Sequence, residues 1–262
     1  MTAHERRQSL VEILRKEPGL RVAELAKVFA VSEGTVRNDL NALEKDGRLK
    51  RVHGGAVLVD QGQFQNNSFI RRFKQNAAAK YAIAQQAAVL VQDGDSILLD
   101  ASSTAYYLAC ALTGRQKLRV MTNGFEVARE LAQNSTNTVI LIGGVVNNDS
   151  SSVTGLLSER IIAELHIEKA FFSCSAFSFE RGMTEVHLEE AQLKRKAIES
   201  SKQVFALVDS SKIGKEDLTP FAHLDQITHL FTDSELPPQE AVKLSQARIE
   251  FTICPIEAQS YK

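Results

Sequence analysis

Within the first 45 residues, apolar side chains recur at helical spacing in three short runs, and residues that cannot continue a helix set the breaks between them. Leu10, Val11, Ile13 and Leu14 form a stripe that stops at Pro18-Gly19. Val22, Leu25, Ala26 and Phe29 form a second, which runs out at Ala30-Val31-Ser32. Ser32 is a good N-cap for a third helix, because its hydroxyl can accept a hydrogen bond from a free backbone N–H of the first turn. In that helix Val36, Leu40 and Leu43 share one face, which leaves Gly34, Asn38, Asn41 and Lys45 opposite and Thr35 and Arg37 on the flanks. Asp46-Gly47 closes it, and residues 48–57 then read as two short strands joined through glycine.

The order helix, helix, turn, helix, basic hairpin predicts a winged helix-turn-helix over residues 1–57. Its chemistry suits double-stranded DNA. Ser32, Thr35, Arg37, Asn38 and Asn41 on the third helix, with Lys50, Arg51 and His53 on the wing, are the candidate DNA-binding residues. Arg and Asn side chains can pair with guanine and adenine edges in the major groove. Cations on a wing neutralise phosphates and fix the register. A polar outer helix face taken alone is usually only a solvated surface; the order of the elements is what favours DNA here.

The net charge of −1 argues neither for nor against nucleic acid, but the charge is unevenly placed. Residues 1–57 hold 11 Lys+Arg against 8 Asp+Glu, whereas residues 58–262 hold 20 against 24. The cationic excess lies where the DNA reading needs it. Cys110, Cys174 and Cys254, an odd number at spacings that match no zinc motif, predict neither a disulfide framework nor a metal site and suit a reducing compartment. The N-terminus lacks the apolar run of a signal peptide, and no stretch approaches about 18 uninterrupted apolar residues. A cytoplasmic protein that does not engage membranes is expected.

Residues 58–79 read as a linker, with Phe64, Phe69, Ile70 and Phe73 as anchors that would sit poorly in a fully solvated segment. From there to residue 262 helical patterns alternate with short apolar runs at 96–99, 118–121, 139–142, 170–174, 204–208, 229–232 and 249–253. Continuous apolar strands of this kind predict an α/β domain with a mostly parallel sheet covered on both faces.

Small ligands bind such sheets beyond the carboxyl ends of the strands. The residues there are polar and small: Asp100, Ser102, Ser103 and Thr104, then Thr122 and Asn123, then Gly143 and Gly144, then Asp209 and Lys212. Each alone has an ordinary structural role as a cap or turn residue. As a set they predict an anion pocket, in which the hydroxyls and helix N-terminal N–H groups at 102–104 suit a phosphate, Lys212 supplies charge, and Asp100 and Asp209 can hold sugar hydroxyls. Glu189 belongs either to the rim of this pocket or to an ion pair with Lys194. Arg160, Glu164 and Glu168 read as solvated helix charges, His187 has no evident partner, and Cys174 falls near the pocket because it ends a strand.

The segments Ala23-Glu24-Leu25-Ala26, Val31 to Leu40, Leu43 to Gly47 and Arg51 to Ala56 resemble the N-terminal signature of the DeoR family of bacterial regulators. Asn38 departs from it, since the family commonly carries two consecutive arginines where this chain has Arg37-Asn38. The resemblance extends through Asp100 to Thr104, Thr122-Asn123, Gly143-Gly144, Thr154-Gly155, Gly182 to Glu185, Glu189 with Lys194, and Asp209 to Lys212, and so covers nearly the whole chain. It implies an effector domain with the fold of the ribose-5-phosphate isomerase type and a phosphorylated sugar as effector. Residues 173–179, with Phe177 and Phe179, depart from the glycine-rich pattern usual there.

Two functions are weighed on these grounds. The first is a transcriptional repressor of carbohydrate genes, without cofactor, metal or catalytic residues, whose hold on operator DNA changes when a sugar phosphate binds the second domain. Readers of this kind pair across a two-fold axis, so a homodimer or homotetramer is expected. The alternative is a sugar-phosphate isomerase with an appended DNA-binding module, for which Asp100, Glu189 or Asp209 would be the general base.

Overall fold

The computed structural model describes residues 3–16, 20–45, 49–52, 55–58 and 68–257. The chain divides into two compact units, residues 1–67 and 68–262.

In the first unit α1 (Ala3–Lys16), α2 (Val22–Phe29) and α3 (Glu33–Lys45) precede an antiparallel hairpin of β1 (Leu49–Val52) and β2 (Gly55–Leu58). The three apolar stripes meet: Leu10, Leu14, Leu25, Val36, Leu40 and Leu43 are fully buried together with Leu49 of the hairpin. Ala30 ends α2 in the left-handed conformation at φ 52°, so the chain turns at once into α3. The guanidinium of Arg6 donates to the carboxylate of Asp39 at 2.6 Å, an inner-edge contact that fastens α1 to α3.

The second unit opens with α4 (Ser68–Lys74) and α5 (Ala77–Ala88). Next come β3 (Ser96–Leu99), α6 (Ser103–Ala111), β4 (Arg119–Thr122), α7 (Phe125–Leu131) and β5 (Thr138–Leu141). A hairpin of β6 (Val145–Asn147) and β7 (Ser152–Thr154) leads to α8 (Leu156–Ala163) and β8 (Ile167–Phe172). Beyond it lie β9 (Ala176–Ser178), β10 (Gly182–Glu185), α9 (Leu188–Glu199), β11 (Ser201–Leu207) and β12 (Thr219–Ala222). The unit ends with β13 (His229–Asp233), α10 (Pro238–Gln246) and β14 (Phe251–Cys254).

Seven strands form a wholly parallel sheet in the order β14-β13-β11-β8-β3-β4-β5. Apolar residues of α5, α6 and α7 cover one face, and those of α8, α9 and α10 cover the other. This is the two-sided burial that continuous apolar strands require. From β3 the chain steps outward through β4 to β5, then returns to β8 on the other flank of β3 and steps outward the opposite way. The winding therefore reverses between β3 and β8, and a crevice opens there beyond the strand ends.

Two parts differ from the sequence expectation. The second half of the expected 58–79 linker is helical and belongs to the sheet-bearing unit: Phe73 of α4 stacks on Tyr107 at 5.0 Å between ring centroids, and Phe69 meets Tyr106 edge-on. A small antiparallel sheet, β12-β10-β9, and the β6-β7 hairpin were not expected, because strands this short leave no periodicity to read. Among the described residues no helix is long and apolar enough to cross a membrane, and no group of three or more His, Cys, Asp or Glu is placed to hold a metal.

Candidate functional site

On α3 the structure separates the two faces as the spacing requires. Val36, Leu40 and Leu43 are buried, and Gly34, Arg37, Asn38 and Asn41 are exposed. Ser32 acts as the cap, its Oγ accepting from the backbone N–H of Thr35 at 3.1 Å and lying 2.9 Å from the Thr35 hydroxyl. Both residues thus help to start the helix. Arg37 pairs with Glu33 one turn earlier at 3.0 Å, in solvent. Lys50 and Arg51 lie on β1, while His53 falls outside the described residues.

In the second unit, two adjoining hollows of about 320 and 260 Å³ open at the crevice between β3 and β8, sharing Arg72, Ser102, Ser175 and Glu185. The larger one is basic, with Arg72, Lys80, Lys212 and Lys215 around Ser103 and the start of α6. Ser102 caps α6 by accepting from the N–H of Ala105 at 3.0 Å. Among the described residues no protein acceptor takes the N–H of Ser103 or Thr104, so these donors remain open at the positive end of the helix dipole.

Lys80, almost wholly buried on α5, donates its ammonium to the backbone carbonyls of Arg72 and Gln75 and so ties the end of α4 to α5. Burial, and then the Lys212 charge, pull its pKa down to about 8 against the opposing pull of Asp209. Asp209 receives Asn76 at 3.0 Å and Ser211 on one oxygen and lies 3.3 Å from Lys212 with the other. Burial alone would raise its pKa, but Lys212, Ser211, Asn76 and Lys80 together hold it below the usual carboxylate range.

Asp100 stands behind the wall of the cleft. One oxygen accepts from the N–H of Ser102 and the other from the N–H of Ser173, both at 3.0 Å, and Lys194 lies 3.0 Å from the second. It therefore stitches the ends of β3 and β8 together. Lys194 also reaches Glu185 at 2.6 Å and the carbonyl of Ser173 at 2.7 Å. Burial works against that ammonium, yet Asp100, Glu185 and Glu190 raise its pKa above the ordinary lysine range.

The smaller hollow carries Arg71, Ser150, His187 and Glu190. Glu190 accepts from Ser152 at 2.5 Å and Ser150 at 3.5 Å, and burial raises its pKa although Lys194 and Ser152 oppose that.

Several expected pocket residues turn out to do local work instead. Glu189 is exposed and does not line either hollow; its neighbour Glu190 does, because it lies four residues before Lys194 and so on the same face of α9. Thr104 is fully buried, 3.5 Å from the Ser173 hydroxyl. Thr122 accepts from the N–H of Gly124, and Asn123 pairs with Val153 to hold the β6-β7 hairpin. The Gly143 carbonyl accepts from Ser158 at 2.8 Å, and a Cβ on Gly144 would meet the Ser158 hydroxyl at 2.3 Å. Ser102, Ser103, Asp209 and Lys212 do line the cleft, as does Cys174, whose thiol burial pushes up to about 12 and so leaves inert.

Arg72, Asn76 and Lys80 were missed because the first two fell in the expected linker. For Lys80 the signal was present: a single lysine in Ala77-Ala78-Ala79-Lys80-Tyr81-Ala82, where small neighbours allow close packing around it.

Residues 6–62 match the DeoR-like helix-turn-helix domain and residues 75–234 the DeoR C terminal sensor domain. The chain is 39% identical to the HTH-type transcriptional regulator YulB of Bacillus subtilis over 98% of each protein. It is 37% identical to the HTH-type transcriptional regulator GolR of Listeria innocua over 90% of this chain and 92% of that one. To the lactose phosphotransferase system repressor of Streptococcus mutans the identity is 35%, covering 90% and 94%. Among solved structures, ribose 5-phosphate isomerase A of Methanocaldococcus jannaschii is similar at a TM-score of 0.40 and 18% identity, covering 53% of this chain and 55% of that one. Two matched domains in the expected order, and relatives alike from end to end, have one reading: the chain belongs to the DeoR family of helix-turn-helix transcriptional regulators.

Proposed function

We propose that this regulator is a repressor of carbohydrate-metabolism genes whose hold on operator DNA is set by a phosphorylated sugar bound in the cleft. The observation that carries the proposal is the basic hollow, where the open N–H of Ser103 at the start of α6 and the cations Arg72, Lys80, Lys212 and Lys215 line one small volume. A phosphate dianion satisfies all of them at once, and the adjoining hollow gives its sugar hydroxyls Glu190 and Ser150 as partners in place of Asp100. The names of two relatives, the lactose phosphotransferase system repressor and the aga operon repressor of Escherichia coli O157:H7, support the choice of carbohydrate genes.

In this reading residues 1–57 grip DNA through Arg37, Asn38, Asn41 and the wing cations Lys50, Arg51 and His53. Residues 80–262 sense the effector, residues 58–79 join the two, and the working form is a cytoplasmic homodimer or homotetramer on a two-fold operator. Binding without turnover is favoured over isomerase chemistry. A general base must be free to take a proton, but Asp100 already serves two N–H groups and a lysine, Asp209 is held by Asn76, Ser211 and Lys212, and Glu189 lines neither hollow.

A thermal-shift screen of the full chain tests the effector. Sugar phosphates are compared with the free sugars and with inorganic phosphate; a ligand at 100 times its dissociation constant stabilises by about 2.7 kcal/mol. Gel shifts on the DNA upstream of the protein's own gene then test the regulator. No response to any sugar phosphate would remove the effector, and equal affinity for that DNA and random DNA would remove the operator.

A further inference from the structure

With seven residues, α4 is too short to hold itself as a helix, and its first N–H groups have no acceptor within it. The acceptors come from 81 residues away. Asp149, in the turn between β6 and β7, takes the N–H of Ser68 on its carboxylate at 3.0 Å. Its backbone carbonyl takes the Ser68 hydroxyl at 2.8 Å and the N–H of Phe69 at 3.2 Å. The same turn closes on the cleft. The Ser150 hydroxyl lies 2.6 Å from that of Ser152 and 3.5 Å from Glu190, whose carboxylate takes Ser152 at 2.5 Å, and all three residues are buried. Asn147 shapes the backbone between the two sets of contacts, its Oδ1 accepting from the N–H groups of Asp149 and Ser150 at 3.1 and 3.4 Å. Ser68, Asp149, Ser150 and Glu190 accordingly line one hollow, the smaller of the two.

We propose that the β6-β7 turn is the relay through which the cleft acts on the start of α4, and so on the chain that runs through residues 59–67 to the DNA-reading unit. What the relay serves rests on the proposed function; the contacts that form it do not. The hydroxyls of Ser150 and Ser152 and the carboxylate of Glu190 are bonded to one another beside the hollow, so each of those bonds can be exchanged for one to a sugar hydroxyl. Arg72 is shared as well. It faces both hollows and donates to the carbonyls of Ser68 at 3.3 Å and Ser150 at 3.5 Å, and a phosphate in the basic hollow draws the same guanidinium towards itself. The far end of α4 is held without the turn, by Lys80 on the carbonyls of Arg72 and Gln75. Ser151 sits at φ 54°, a left-handed conformation that costs a serine energy and recurs in switch segments. A ligand that binds two arrangements of the turn unequally shifts the start of α4 by that difference in affinity.

Hydrogen exchange of the full chain, followed by mass spectrometry, tests the relay with neither DNA nor sugar phosphate present. Asp149→Ala removes the charged acceptor and is expected to speed exchange across α4 about tenfold, the effect of losing one hydrogen bond to a charged group. Ser150→Ala removes a hydroxyl bonded to Ser152 and Glu190 rather than to α4. It is expected to speed exchange in α4 as well, while β3 and β8 keep their protection. Operator affinity is read next, on the DNA upstream of the protein's own gene and without effector. Both variants are expected to shift it about fivefold or more, the low end for an allosteric pair, with the wild-type salt dependence, since the phosphate contacts are intact. Exchange in α4 that does not respond to Ser150→Ala would overturn the relay, as would operator affinity equal to the wild type's in both variants. A wild type that does not distinguish this DNA from random DNA removes the proposed function instead, and the exchange result decides the relay without it.

Discussion

Lys80 shows how a single buried charge can report an anion. Its folded pKa of about 8 lies below the 10.5 of an unfolded lysine, so the native chain holds this proton weakly above neutrality. A phosphate dianion in the basic hollow adds negative charge beside it and draws the proton back. Sugar-phosphate binding at pH 8.5 is therefore expected to take up protons, which appears as a binding enthalpy that changes with the ionisation enthalpy of the buffer. Lys80→Gln removes that change; uptake of equal size in the variant would dissociate Lys80 from the ligand. Glu190 has the opposite sign. Burial lifts its folded pKa above the unfolded value, so its contribution to stability is complete below the unfolded carboxyl pKa and is lost as pH rises through the folded one. Melting temperatures measured from acid to neutral pH are expected to show this loss in the wild type and to lack it in Glu190→Gln, which keeps an acceptor for Ser152 without the charge.

At the scale of elements, α3 and α4 carry predictions of different kinds. The exposed face of α3 has asparagine where the family commonly has a second arginine, and asparagine pairs with adenine whereas arginine pairs with guanine. Operators selected by Asn38→Arg are expected to differ from wild-type ones at one base position per half-site, a preference of about 1–3 kcal/mol; identical selections would mean that Asn38 reads no base. α4 holds Arg72 over the cleft through its aromatic contacts, so Phe73→Ala, which deletes the stack on Tyr107, is expected to weaken sugar-phosphate binding about tenfold, or 1.4 kcal/mol. Titration by calorimetry, with circular dichroism to show the sheet intact, measures it. The same two helices mark how much the sequence disclosed. α3 was legible because its partners, Leu10 and Leu25, lie on neighbouring short helices with the same period. α4 was not, because its partners Tyr106 and Tyr107 are more than 30 residues away and its own sequence, Ser-Phe-Ile-Arg-Arg-Phe-Lys, has no long stripe. The strand ends pointed to the end of the sheet where the hollows open, but Asn123 and Gly144 are taken up by the β6-β7 hairpin, which no period announced, while Thr122 holds the turn at Gly124 and Gly143 receives Ser158 of α8. Of the neighbours Glu189 and Glu190 it is Glu190 that lines a hollow, and its four-residue spacing to Lys194 is the sequence signal for that.

For the whole molecule the question is whether the cleft and the DNA-reading face are energetically joined. The chain passes from β2 to α4 through residues 59–67, which lie outside those described, so the coupling has to be sought in affinities. If a sugar phosphate changes operator affinity by some factor, the operator must change sugar-phosphate affinity by the same factor, about 5- to 150-fold for a typical allosteric pair. The expectation is equal factors when the operator is titrated with and without effector, and the effector with and without operator, all at one salt concentration because phosphate contacts make DNA affinity steeply salt-dependent.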